Sequence, residues 1–198
     1  MKKMMSGIVV ILGLTLGING ICFAGATQTI NVTATVPSVS SSLTVTVSKI
    51  DSSSQKLLQS GINMPIDFGT LNFDSVNGIF LPTVYYSVDI GVVNNTGSVW
   101  TLTHTANSIK KDATNNLDSN VNVTFVKQAD KDTGGTLRKV SYANSNSVAT
   151  TSTELGTGWL RIYYGIGSGS GDATGVTPIG INKPAGIYSG SVVITLTP

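Results

Sequence analysis

The sequence predicts an all-β chain folded as an antiparallel β-sandwich, and three observations carry that prediction. Apolar and polar side chains alternate with a period of two along most of the chain, which puts successive residues on opposite faces of a strand. Clusters of Gly, Asn, Pro and Ser interrupt these runs at short spacing, dividing the chain into about nine strands. Charged residues make up only 11% of the chain, whereas the exposed faces of helices draw on Lys, Glu and Arg. No shift in composition marks a second domain, and no internal repeat is present.

The first segment does not belong to the fold. Lys2 and Lys3 form a positive head, residues 8–18 are an almost unbroken apolar run, and Cys22-Phe23-Ala24 places small residues where a signal peptidase reads. The run falls short of the roughly 20 residues that span a bilayer, and Asn19-Gly20 breaks it. Residues 1–24 therefore read as a secretory signal peptide, so the chain is expected to be secreted, to the cell surface, the periplasm or beyond, with no membrane anchor after its removal. That removal takes away the one cysteine, and with it any disulfide, thiol nucleophile or thiolate ligand. It also takes two of the twelve basic residues, which leaves ten against ten acidic ones and no basic field for nucleic acid or acidic lipid. The remaining length suits a strand at 25–37 followed by one sandwich domain at 38–198.

Taken in order, "TQTINVTATVPSV" has Ile30, Val32, Ala34 and Val36 on one face and Asn31, Thr33 and Thr35 on the other, until Pro37 breaks it off. Leu43, Val45 and Val47 resume the pattern, and residues 55–59 allow a single helical turn. Ile66 and Phe68 alternate with Asp67 before a glycine, so "MPIDFGTLNF" reads as a further strand. In "VYYSVDIGVV", Val84, Tyr86, Val88, Ile90 and Val92 face one way and Tyr85, Ser87 and Asp89 the other. Asn94-Asn95-Thr96-Gly97 then turns into "VWTLTHTA", with Trp100 and Leu102 in step, which predicts a β-hairpin. Residues 107–120 read as an exposed polar loop. Val121, Val123 and Phe125 open a strand that Thr133-Gly134-Gly135-Thr136 turns back into "LRKVSYA". Leu160, Ile162, Tyr164 and Ile166 line the inner face of "WLRIYYGIG", a Gly-rich loop runs to Gly180, and Val192, Ile194 and Leu196 form one side of the closing strand.

Residues able to carry chemistry are sparse, and their sparseness points away from an enzyme. His104 is the one histidine, so any Ser-His-Asp site would depend on it and no cluster of His and Cys can hold a metal. In step with Trp100 and Leu102 near a strand end, it is expected to be a partly buried or rim residue. Asp130 and Asp132 flank Lys131 in a loop where solvated charge is the ordinary state. A carboxylate pair drawn from distant parts of the chain stays open as a minor alternative. "GIGSGSGD" lacks the Gly-Lys-Ser/Thr ending of a phosphate loop and reads as a flexible loop. No cofactor or metal is expected. With Leu160, Ile162 and Tyr164 inward, Trp159, Arg161 and Tyr163 point outward in a row. Such a row stacks on a sugar ring, packs on a partner, or supports cross-strand pairing.

The two ends carry the functional expectation. Past the signal the chain begins with "TQTINVTATV" and it ends with "KPAGIYSGSVVITLTP", two alternating strands of similar length. Ala185, Gly186, Tyr188, Ser189 and Gly190 introduce the second. In these features the sequence resembles bacterial chaperone-usher fimbrial subunits (pilins) of the colonisation-factor type and, more weakly, the spore coat protein U family; "IDFGTL" is a fainter echo. The resemblance implies an immunoglobulin-like, pilin-like antiparallel β-sandwich that is incomplete. Its groove beside the last strand would be filled first by a periplasmic chaperone and then by the N-terminal strand of the next subunit. Carried onto this chain, the donated face is Ile30, Val32, Ala34 and Val36, and the acceptor edge is Val192, Ile194 and Leu196. The partners are then other copies of itself or related subunits. Burying Ile30, Val32 and Val36 at ~1.5–3 kcal/mol each yields on the order of 5–9 kcal/mol before ordering costs. The same figures hold for a strand docked in its own sheet, so both destinations stay open. The alternative is a self-contained cell-surface sandwich that binds carbohydrate or protein through Trp159, Arg161 and Tyr163.

Overall fold

The computed structural model describes residues 42–93, 98–127, 135–156 and 159–197. The chain partitions between Val36 and Pro37, and all of these residues belong to the second part. The signal segment, the N-terminal strand with Ile30, Val32, Ala34 and Val36, the turn at Asn94 to Gly97, and Asp130 and Asp132 lie outside the described residues.

β1 (Ser42–Asp51) and β2 (Leu57–Ile62) pair antiparallel through a short loop. Asp51 Oδ1 accepts the backbone N–H groups of Ser53 and Ser54, and the Gln55 N–H donates to the Asp51 carbonyl with Gln55 at φ 58°. This corrects the expected helical turn at 55–59. Asp51 organises an Asx turn, and the residues beyond it join the ladder of β1. Residues 64–71 differ from expectation in a related way. Ile66 and Phe68 do pack on the core, but no strand forms there. The Asp67 carboxylate accepts the Gly69 N–H at 2.8 Å, the Asp67 carbonyl accepts the Tyr86 hydroxyl at 2.6 Å, and Gly69 turns the chain at φ 66°.

β3 (Asn72–Asp74) and β4 (Ile79–Leu81) form a small hairpin, followed by β5 (Val84–Val93), β6 (Thr101–Lys110), β7 (Val121–Lys127) and β8 (Thr136–Ser141). After a 3₁₀ turn at Tyr142–Asn144 come β9 (Val148–Thr151), the one-turn helix α1 (Ser152–Leu155), β10 (Trp159–Ile166), β11 (Ile179–Gly180) and β12 (Ser189–Thr197). They build an antiparallel six-stranded sheet in the order β2-β1-β5-β10-β7-β8, a three-stranded sheet β12-β6-β9, and a small sheet β11-β4-β3. The alternation predicts the inner faces correctly. Tyr86, Val88 and Ile90 of β5, Leu160, Ile162 and Tyr164 of β10, and Val121, Val123 and Phe125 of β7 are buried in one core with Leu102 and Ala106 of β6. That core makes the fold a β-sandwich.

The expected hairpin between β5 and β6 does not form. β5 has both edges occupied, by β1 and β10, and β6 pairs with β12 and β9, so the chain passes from one sheet to the other between Val93 and Thr101. Alternation decides which face a strand buries, not which strand it pairs with. β6 also runs on through Asn107 and Lys110, which were expected in a loop; they pair with Ser191 and Ser189 of β12. Asn120, at the end of that expected loop, is buried, and its amide donates to the carbonyls of Thr177 and Pro178. β7 and β8 pair antiparallel as expected, while Thr133 and Gly134 of the expected turn lie outside the described residues.

One flank of the sandwich is closed by side chains. Arg138 of β8 donates to the Thr150 hydroxyl of β9 at 2.9 Å and to Glu154 of α1 at 2.6 Å. Thr151 caps α1 by accepting the Glu154 N–H, and Gly156 ends the helix at φ 71°. With β9 fastened to β8, the narrower sheet runs back as β6 and then β12. Strands lie about 4.8 Å apart, so three of them cover ~10 Å where six extend over ~24 Å.

Candidate functional site

Among the described residues β12 is an edge strand. It pairs with β6 from Ser189 opposite Lys110 to Thr197 opposite Thr101, and among the described residues nothing pairs with its other side. Val192, Ile194 and Leu196 pack against the core but are only half-buried, and Val193 between them is 50% exposed. The corresponding inner residues Ile90 and Ile162 of the central strands are 0% exposed. Leu43 and Val45 of β1 and Val92 of β5 are likewise half-buried against the core. Val192, Ile194 and Leu196 thus border a backbone edge whose outward N–H and C=O groups have no described partner.

The entry to β12 explains the residue types that precede it. Lys111 Nζ donates to the Ala185 carbonyl at 2.6 Å, the Tyr188 hydroxyl donates to the Pro184 carbonyl at 2.7 Å, and Gly186 adopts φ 147°. Gly190 sits at a register shift between Ser189 and Ser191, where an added Cβ would lie 2.9 Å from Ile109 Cα and from the Ser108 carbonyl oxygen. The Tyr142 hydroxyl lies 2.8 Å from the Asn107 carbonyl and 3.0 Å from that of Ser191, clasping β6 and β12 together. Burial there pushes the Tyr142 phenol up to about 12.

His104 is not a rim residue but part of the core, at 2% exposed. Its Nδ1 is 2.7 Å from the Ser145 carbonyl, which can only accept, so Nδ1 carries the hydrogen and Nε2 accepts the Tyr164 hydroxyl at 2.8 Å. Phe125 meets the ring edge-on at 5.3 Å and Tyr164 stacks on it at 6.0 Å. Both nitrogens are engaged inside the protein, out of reach of a substrate. Burial holds the imidazole below its ordinary value, against the opposing pull of the Ser145 carbonyl.

Trp159, Arg161 and Tyr163 occupy the outer face of β10, but not as one flat platform. Trp159 lies across its cross-strand neighbour Gly91, where an added Cβ would come within 2.7 Å of the indole. Arg161 makes two bonds to Asp89, at 2.5 and 2.9 Å, and this pair raises the guanidinium pKa further. Its Cζ stands 6.0 Å from the centre of the Tyr163 ring. Tyr163 is the member of the row that opens on a cleft, of about 230 Å³, shared with Tyr85, Asn122, Thr124, Lys139 and Asp172. The two tyrosine rings are 6.2 Å apart and inclined at 47°.

The Gly-rich loop beside this cleft is more ordered than its composition predicts. The Asp172 carboxylate accepts the N–H groups of Ser168 and Gly169 and the Asn122 amide, at 2.9, 2.7 and 2.7 Å. Asn122 Oδ1 in turn accepts the Ala173 N–H at 2.8 Å. One acidic residue closing a Ser/Gly run is the signal that could have marked this loop as organised. Comparison of the chain with protein-family models, with curated proteins and with solved structures finds no match.

Proposed function

We propose that the chain is a structural subunit of a secreted surface fibre, assembled when the N-terminal segment 25–37 of one copy adds as a strand to β12 of the next. The observation that carries this reading is the state of β12: the last strand has one described partner, and its inner residues Val192, Ile194 and Leu196 are half-buried beside an edge that no other described strand occupies. Strand addition to such an edge combines a new backbone ladder with burial of alternate apolar side chains.

Sheet order supports the same reading. In an immunoglobulin-like sandwich, strands A, B, E and D form one sheet and C, F and G the other. Here β1, β5, β10 and β7 lie side by side in the A-B-E-D order, β6 and β12 pair as C and F, and no described strand takes the G position beside β12. A pilin-like sandwich that lacks its closing strand has this form. The donor face is then Ile30, Val32, Ala34 and Val36. A chaperone holding the edge before assembly, partners that are copies of the chain or related subunits, a location at the cell surface and a non-enzymatic role belong to the same proposal.

Deletion of residues 25–37 tests it. Expected is a truncated chain that folds when a periplasmic chaperone of this class is co-expressed and that forms no polymer, while the intact chain gives a boiling-sensitive ladder of oligomers. An intact chain that stays monomeric, or a truncated one that still polymerises, overturns the reading.

A further inference from the structure

We propose that the cleft on the outer face of the six-stranded sheet binds the ring of a neutral carbohydrate. Its walls are aromatic. Tyr85 and Tyr163 stand at 47° to each other with centres 6.2 Å apart, offering ring faces and edges on which the C–H face of a pyranose stacks. Its floor is polar. In the strand register Tyr163 lies opposite Thr124, Thr124 lies opposite Lys139, and Asn122 lies opposite Gly165, so hydroxyl, ammonium and amide groups follow one another across β10, β7 and β8.

The charges select a neutral ligand. The cleft holds one cation and one anion, and each is already engaged: Lys139 Nζ donates to the Gly171 carbonyl, and Asp172 is bound by Asn122 and two loop N–H groups. No excess positive charge draws a phosphate or an acidic sugar. The Asn122 amide is engaged at both ends, so the Thr124 hydroxyl and the further N–H positions of Lys139 are what the cleft offers to the hydroxyl groups of a ligand. A volume of about 230 Å³, below the roughly 300–1,000 Å³ of drug-sized pockets, suits a single ring.

Gly165 is an independent observation. The outward row of β10 runs Trp159, Arg161, Tyr163 and then Gly165, so the cleft exists where the fourth side chain is missing. A glycine inside a strand costs roughly 0.5–1 kcal/mol relative to alanine, and local structure does not require one here. An added Cβ would meet nothing nearer than Tyr85 Cβ at 4.0 Å, and the backbone does not enter the left-handed region. Close approach of a ligand is one of the recognised reasons for a glycine inside a strand, and the open space beside Gly165 leaves room for it.

The cleft faces away from the interior bordered by β12, so this inference stands apart from strand donation. The test uses the purified chain with the methyl glycosides of glucose, galactose, mannose and N-acetylglucosamine, and N-acetylneuraminic acid as the acidic comparison. Saturation-transfer NMR and the shifts of Tyr85, Tyr163 and Gly165 are the readouts. Expected is binding of at least one neutral glycoside through its ring C–H groups, with shifts at those three residues. Gly165→Val, which fills the cleft, should weaken it about tenfold or more with the melting temperature held. Tyr163→Ala serves as the second variant should Gly165→Val not fold. No neutral glycoside shifting these residues, unchanged binding by the folded variant, or tightest binding of N-acetylneuraminic acid each overturns the proposal.

Discussion

His104 shows what a single residue can do to this fold. A proton added at Nε2 would convert an acceptor into a donor facing the Tyr164 hydroxyl, inside an apolar core. The folded-state pKa is therefore held below the unfolded value of about 6.5, chiefly by burial. As pH falls below about 6.5 the unfolded chain takes up its proton first, and stability drops by up to ~1.4 kcal/mol per pH unit until the folded-state pKa is reached. The carboxylates that are held low by loop N–H and side-chain donors, Asp51 at about 2 together with Asp74 and Asp112, lose their contribution only as pH falls through the range below their unfolded value. His104 is the one histidine, so the slope between pH 6.5 and 5 belongs to it. Urea denaturation should show the midpoint falling over that range in the parent and holding level in His104→Gln; a level parent curve would contradict the assignment. The step with Trp100 and Leu102 makes the residue's inward side legible in sequence. Its depth is not, because the accepting carbonyl belongs to Ser145, 41 residues away, and the hydroxyl to Tyr164, 60 away.

At the scale of elements, two glycines in strands make opposite predictions. Gly190 stands at the bulge where β12 meets β6, and a methyl group there would press on backbone atoms of Ile109 and Ser108 at 2.9 Å, which side-chain rotation cannot relieve. Gly190→Ala should cost about 1–3 kcal/mol in chemical denaturation, as overpacking does elsewhere. Gly165→Ala, with open space around it, should be neutral or stabilising by up to about 1 kcal/mol. Equal effects at the two sites would mean that the bulge does not control the start of β12. Sequence alone ranks these glycines alike, since each follows an alternating run or precedes one. The same limit governs β5 and β6: the period of two assigns Tyr86, Ile90 and Leu102 to the interior correctly, while the partner of each strand depends on distant segments. Asn94 to Gly97 reads as a hairpin turn, yet β1 and β10 leave β5 no free edge for β6.

For the whole molecule, the imbalance between the six-stranded and the three-stranded sheet among the described residues makes strand donation testable without a fibre. If the open side of β12 accepts residues 25–37, a synthetic peptide of that sequence should stabilise a chain that begins at Ser38. The apolar gain of roughly 5–9 kcal/mol is of the same order as the cost of ordering the peptide backbone, so binding depends on the new ladder as well as on burial. Peptide at 100 times its Kd adds about 2.7 kcal/mol, which raises the melting temperature of a domain this size by roughly 5–10 °C. Register gives the decisive control. Deleting Asn31 from the peptide leaves its composition almost unchanged but moves Val32, Ala34 and Val36 to the face opposite Ile30, so no single docking can bury all four. The native peptide should therefore raise the melting temperature and the Asn31-deleted peptide should not. Equal shifts from both would mean general apolar adhesion at Val192, Ile194 and Leu196, and no shift from either would remove β12 as the acceptor edge.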